Sequence, residues 1–161
     1  MTGRAVLSPD RVYRYSLTRV WDTDAPPLVW VGLNPSTADA ENDDPTIRRE
    51  IDFSKRWGYG GLVKVNLFAF RATKPAALIG PADPIGPDND ATLWEQSQGC
   101  DVVAAWGGSV PDYWRARAHA IAYRLRKDRR TFTLGFTKTG QPRHPLYVPR
   151  ITGLRRWELS S

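Results

Sequence analysis

A chain of 161 residues, 41% hydrophobic and 25% charged, is long enough to bury a core, and a single domain over residues 1–161 is its natural reading. One cysteine, Cys100, excludes an intrachain disulfide and a cysteine-cluster metal site, and two histidines, His119 and His144, exclude a histidine-rich one, so no metal and no cofactor are expected. The net charge of +6 is uneven: residues 1–111 hold 11 basic and 14 acidic residues, residues 112–161 hold 12 and 3, and a basic C-terminal third points to a polyanion, nucleic acid first.

Residues 1–20 are studded with arginine and lack the apolar stretch of a signal peptide. No apolar run approaches the roughly 20 residues of a membrane span, and a cytoplasmic location is expected. Tyr13–Trp21 alternates weakly and is rich in β-formers, which predicts an edge strand. A turn over Asp22–Pro27 then makes a hairpin with the strand that follows. That strand, Val29-Trp30-Val31, is apolar on both faces and stops at Gly32-Leu33-Asn34-Pro35-Ser36-Thr37. A polar turn after a buried strand is where open α/β sheets place their ligand sites.

Asp44 and Pro45 suit the cap and first turn of a helix whose apolar face carries Ile47, Ile51 and Trp57, ended by Gly58 and Gly60-Gly61. Leu62–Phe70 reads as the second central strand, interrupted by Asn66, a buried amide that must find partners or cost roughly 1–3 kcal/mol. Residues 71–89 form a long, proline-rich loop, a length that is usually functional or mobile. Asp88-Asn89-Asp90 caps a helix to about Gln98. Asp101–Trp106 is the third strand, closed by Gly107-Gly108. Ser109-Val110-Pro111-Asp112 has capping-box spacing, and its helix, to about Lys127, turns Trp114, Ala118, Ile121 and Leu125 inward, with Arg115, Arg117, Arg124 and Arg126 on other faces. His119 beside that stripe reads as a partly buried structural histidine. Thr131–Phe136 is the fourth strand, the loop Thr137–Arg150 carries Arg143-His144-Pro145, and Leu154 and Trp157 pack a short tail onto the core.

The predicted order β-β-α-β-α-β-α-β makes this an α/β protein: a three-layer α/β/α sandwich with a central, mainly parallel four-stranded sheet and an N-terminal edge hairpin. Right-handed crossovers bring the loops at Asn34, Asn66, Gly107 and His144 to one edge.

Over its whole length the chain resembles a bacterial and phage family known as domain of unknown function 1643. The likeness rests on Gly32–Asp39, Asp44-Pro45-Thr46-Ile47-Arg48-Arg49, Gly58-Tyr59-Gly60-Gly61, Asn66–Thr73 and Asp83–Asp90. Residues 28–150 are also similar, more distantly, to the uracil-DNA glycosylase superfamily. Gly32-Leu33-Asn34-Pro35-Ser36 looks like its first motif, Asn66 stands where its base-reading Asn ends the second strand, Gly107 ends the third strand, and His144-Pro145 matches its last motif. Two departures stand out. Asn34 or Ser36 occupies the place of the water-activating Asp, and Leu146-Tyr147-Val148-Pro149 follows His144-Pro145 where the superfamily often has Ser-Pro-Leu-Ser.

What the superfamily resemblance implies is N-glycosidic hydrolysis of a flipped uracil, mismatched or modified base, with DNA as partner. Asn34 would position water, Asp39 would be a reserve general base, and His144 would donate to the departing base. Asn66 and Phe68 would bind the base. Ser36, Thr37, Arg143, Leu146, Tyr147 and Arg150 would contact nucleic acid, with Leu146 or Tyr147 as the wedge. Two other classes stay open: an inactive module that binds nucleic acid or modified nucleotides, and a nucleotide or nucleoside hydrolase in which Asp39, Glu41, Asp43 and Asp44 grip Mg²⁺ or ribose.

Overall fold

The computed structural model describes residues 1–160. Ten regular elements follow in order: β1 (Thr2–Leu7), β2 (Arg14–Val20), β3 (Pro27–Gly32), α1 (Pro45–Arg56), β4 (Gly61–Asn66), α2 (Asn89–Ser97), β5 (Asp101–Ala104), α3 (Arg115–Asp128), β6 (Arg130–Thr133) and β7 (Arg155–Arg156). They form an α/β fold around one seven-stranded mixed sheet in the order β1-β2-β4-β3-β5-β6-β7. The four central strands β4, β3, β5 and β6 are parallel, while β1, β2 and β7 pair antiparallel at the two sides.

The sheet is thus larger than the four strands and hairpin expected. β2 is neither an edge strand nor the hairpin partner of β3. It lies between β1 and β4, antiparallel to both, and the chain from β2 to β3 passes over the start of β4. Gly60 permits that passage: a Cβ there would stand 2.0 Å from the Asp22 carbonyl oxygen, and its own carbonyl receives the amides of Trp21 and Asp22. β1 takes the edge, and its exposed residues gave no apolar alternation from which to expect a strand.

Alternation along β3 shows how the layers form. Leu28 and Trp30 pack with Ile47, Ile51 and Phe53 of α1, whereas Val29 and Val31 pack with Leu93 of α2 and Ala118, Ile121 and Leu125 of α3. Full burial of each large apolar side chain stabilises by roughly 1.5–3 kcal/mol. Trp30 stacks on Trp57 and donates to the Ser54 hydroxyl at 2.9 Å.

The helix ends are mixed. Asp44 caps α1, accepting the Ile47 amide at 2.9 Å, with Pro45 in the first turn. Asp88 makes no side-chain cap to α2, and the Ser109–Asp112 capping box does not form. A 3₁₀ turn at Asp112–Trp114 intervenes and α3 begins only at Arg115. His119 is exposed rather than tucked against the stripe. The fourth strand stops at Thr133 because Gly135 adopts a φ of +106° and turns the chain. Trp157 does pack beside Trp106, and Leu154 reaches the α1-side core. Among the described residues, no helix is long and apolar enough to cross a membrane.

Candidate functional site

Because β4, β3 and β5 run in parallel, their carboxyl ends open on one edge of the sheet, and a cavity of about 530 Å³ lies there. The turns after β3, β4 and β5 and the His144 segment all contribute to it. Asn34, Ser36, Asn66, Gly107, Arg143, His144, Leu146 and Tyr147 line it together.

Asn66 ends β4 opposite Gly32 of β3. It is 1% exposed, and neither its Oδ1 nor its Nδ2 has a hydrogen-bond partner within the chain. Each unmet group of this kind costs roughly 1–3 kcal/mol, so the amide is held in place by its backbone and not by its own bonds. Asn34 is differently placed. Its Nδ2 donates to the carbonyls of Ala72 at 2.8 Å and Pro35 at 3.1 Å, which leaves Oδ1 as its uncommitted acceptor.

His144 is held by a 3₁₀ turn at Pro145–Tyr147, and its Nδ1 accepts the Leu146 amide at 3.2 Å. That bond assigns the proton to Nε2. Burial, and then the nearby Lys64 cation, pull its pKa down to about 4, so the ring is neutral at pH 7 and carries its one N–H on Nε2. The turn is tied to α1 by Arg49, which donates to the carbonyls of Val148 at 3.1 Å and Pro145 at 3.3 Å. Tyr147 stands 78% exposed, its ring 5.4 Å from that of His144.

Four residues expected at the site lie elsewhere. Asp39 is outside the cavity lining, and its carboxylate accepts the amides of Asn42 at 2.8 Å and Glu41 at 2.9 Å; those bonds hold its pKa below the usual carboxylate range. Thr37 is exposed and outside the lining. Phe68 is fully buried on the α2–α3 side, edge-on to Trp114. Arg150 lines a separate shallow hollow with Arg49, Asp52, Phe53 and Arg56. Three of the four residues of the acidic cluster are spent on local structure. Asp39 closes its turn, Asp43 pairs with Arg19 at 2.9 Å, and Asp44 caps α1. Among the described residues, no group of three or more His, Cys, Asp or Glu side chains is placed to hold a metal ion.

Sequence reasoning missed the charged floor of the cavity. Lys64 of β4 and Arg14 of β2 both line it while 5% and 2% exposed. Lys64 forms an ion pair with Glu50 of α1, which is fully buried. Burial pushes the Glu50 carboxyl up, and Lys64 opposes that shift. Arg14 donates to the Ala38 carbonyl at 2.7 Å, and burial lowers its pKa to about 10, so it remains a cation. A signal for Lys64 did exist: strand alternation puts residue 64 on the same face as Asn66, within a run whose neighbours are apolar. With Lys138 and Arg143, four cations line the cavity against one carboxylate, Asp44. The arrangement suits a polar, planar group with both donors and acceptors, attached to something anionic.

No match to a curated protein or to a solved structure was found. One family model matches residues 14–146, a span that takes in every cavity-lining residue except Tyr147. On that match the chain belongs to the family described as "Protein of unknown function (DUF1643)".

Proposed function

We propose that this protein takes an extruded nucleotide of DNA into the cavity and hydrolyses its N-glycosidic bond. One observation carries the reading: a buried side-chain amide with both hydrogen-bonding atoms unmet, at the end of a central strand, on the wall of a cation-lined cavity. An Asn amide presents a donor and an acceptor side by side, which complements a base edge. The likeness of the strand-end motifs to the uracil-DNA glycosylase superfamily supports the same reading.

Bond cleavage leaves positive charge on the sugar and negative charge on the base. Asn66 pairs with the base edge. The neutral His144 donates through Nε2 to the oxygen of the departing base, and Lys64 and Arg14 supply positive potential under it. Asn34 offers Oδ1 to a water that adds to C1′ as the base leaves with the bonding pair, and the proton the water loses passes to the departed base anion. Lys138 and Arg143 meet backbone phosphate at the mouth, and Leu146 and the exposed Tyr147 fill the gap in the stack.

A second reading, a module that binds the nucleotide without cleaving it, is favoured by one feature. Asp39 is bonded within its own turn, and the one lining carboxylate, Asp44, already serves as a helix cap. Oligonucleotides bearing uracil, a thymine mismatch or a hypermodified base, incubated with the protein and then treated with alkali, separate the two. Strand breaks with one of them are expected. Salt-sensitive binding with no breaks on any of them would favour the module.

A further inference from the structure

Lys64 is an unusual choice for its position. β4 is paired on both sides at this residue, opposite Leu17 of β2 and Trp30 of β3, and its strand neighbours Val63 and Val65 are buried. An ammonium here is costly to desolvate, and a leucine would fill the space without that cost. Nor does the side chain escape to bulk solvent: it is 5% exposed, lines the cavity, and its Nζ is paired with a carboxylate that is itself fully buried. Gly32 makes room for it. A Cβ at that residue would stand 2.7 Å from Nζ and 2.8 Å from Asn66 Oδ1, which also places the amine beside the orphan amide.

We infer that Lys64 is a nucleophilic amine, with Glu50 as its proton acceptor, that forms an imine with the aldehyde carbon of a sugar held in the cavity. This rests on the N-glycosidic reading for its substrate, since loss of a base frees C1′ of the sugar to open to an aldehyde. A buried ion pair favours such chemistry: the Lys64 amine is held against the carboxylate that would take its proton, so the acceptor is in place before the sugar arrives.

The atoms balance without a further reactant. Glu50 takes a proton from the Lys64 ammonium. The freed pair on Nζ attacks C1′, the carbonyl pair moves to oxygen, and a proton shifts from nitrogen to that oxygen. Glu50 returns its proton to the resulting hydroxyl, which leaves as water. A positively charged imine then faces a carboxylate, as the ammonium did before.

The test is reductive trapping with borohydride, which delivers hydride to the imine carbon and fixes the adduct as a secondary amine. Two probes are used with the full chain: a duplex oligonucleotide with one abasic site, and free 2-deoxyribose 5-phosphate. Peptide mapping then identifies which of the five lysines carries the adduct. Adduct on Lys64 is expected with both probes, and its loss in Lys64→Arg, which keeps a cation beside Glu50 but has no amine able to deprotonate. Mapping the native chain needs no variant, so a Lys64→Arg protein that fails to fold does not block the result. Adduct on Lys138, the other lysine at the cavity, or no adduct on Lys64 with either probe, overturns the assignment. Trapping at Lys64 with no base released from any substrate upholds the amine and overturns the glycosidic reading. Base release without trapping does the reverse.

Discussion

The side-chain nitrogen of Asn89 donates to the backbone oxygen of Asn66 at 3.0 Å, and to that of Leu67 at 3.2 Å. Asn89 is fully buried at the start of α2, so the helix fixes the strand end from which the orphan amide projects. Arg117 of α3 adds two bonds to the same Leu67 oxygen, at 2.8 and 2.9 Å. Asn66 is thus held from behind, through its backbone, while its side chain is left unspent.

Asn89→Ala removes both donations and leaves the Asn66 carbonyl without this partner. A loss of about 1–3 kcal/mol in denaturant unfolding is expected, together with a fall in ligand affinity. Unchanged stability would show that the strand end is held by other means.

His144 makes stability depend on pH in a defined window. Its folded pKa of about 4 lies below its ordinary value of 6.5, chiefly through burial and then through Lys64. The unfolded chain therefore takes up the proton first as pH falls. The stability this residue contributes is complete above pH 6.5 and is lost progressively toward pH 4. Urea unfolding of the native chain and of His144→Asn across that range measures the difference. The native chain is expected to lose more; parallel curves would refute the burial of a neutral ring.

Gly32→Ala is expected to fold and to lose function. Its Cβ would press on Lys64 Nζ and Asn66 Oδ1, two side-chain ends that can move aside but are then misplaced. A stability loss of about 1–3 kcal/mol is expected from the overpacking. Thermal melting and base release, measured on the same preparation, check both halves.

At the cavity mouth, Lys138→Ala and Arg143→Ala are expected to weaken oligonucleotide binding across all sequences. Each should lower the slope of log affinity against log salt by about one phosphate contact. An unchanged slope would place these cations away from the backbone path.

Much of this site could be read from the chain alone because strand ends announce themselves. Gly32-Leu33-Asn34, Asn66 and Gly107 each break an apolar run, and parallel strands bring such breaks together. The His144 segment joined them as expected. What stayed hidden was long-range. The burial of Lys64, Glu50 and Arg14 was not foreseen, since a charged residue inside an element carries no local mark of its burial partner. Phe68 was misplaced because β4 ends at Asn66 and not at Phe70, and the chain beyond it packs toward α3. The place of β2 depended on β1, whose exposed residues carry little pattern, and on a crossing over Gly60 that only tertiary packing defines.

The most direct measurement is mass-spectrometric detection of free base released from oligonucleotides that each carry one candidate base, for the native chain and for Asn66→Ala. Release of one base by the native chain, abolished in Asn66→Ala while its melting temperature is kept, is the expected result. Release that survives the loss of the Asn66 amide would contradict the account.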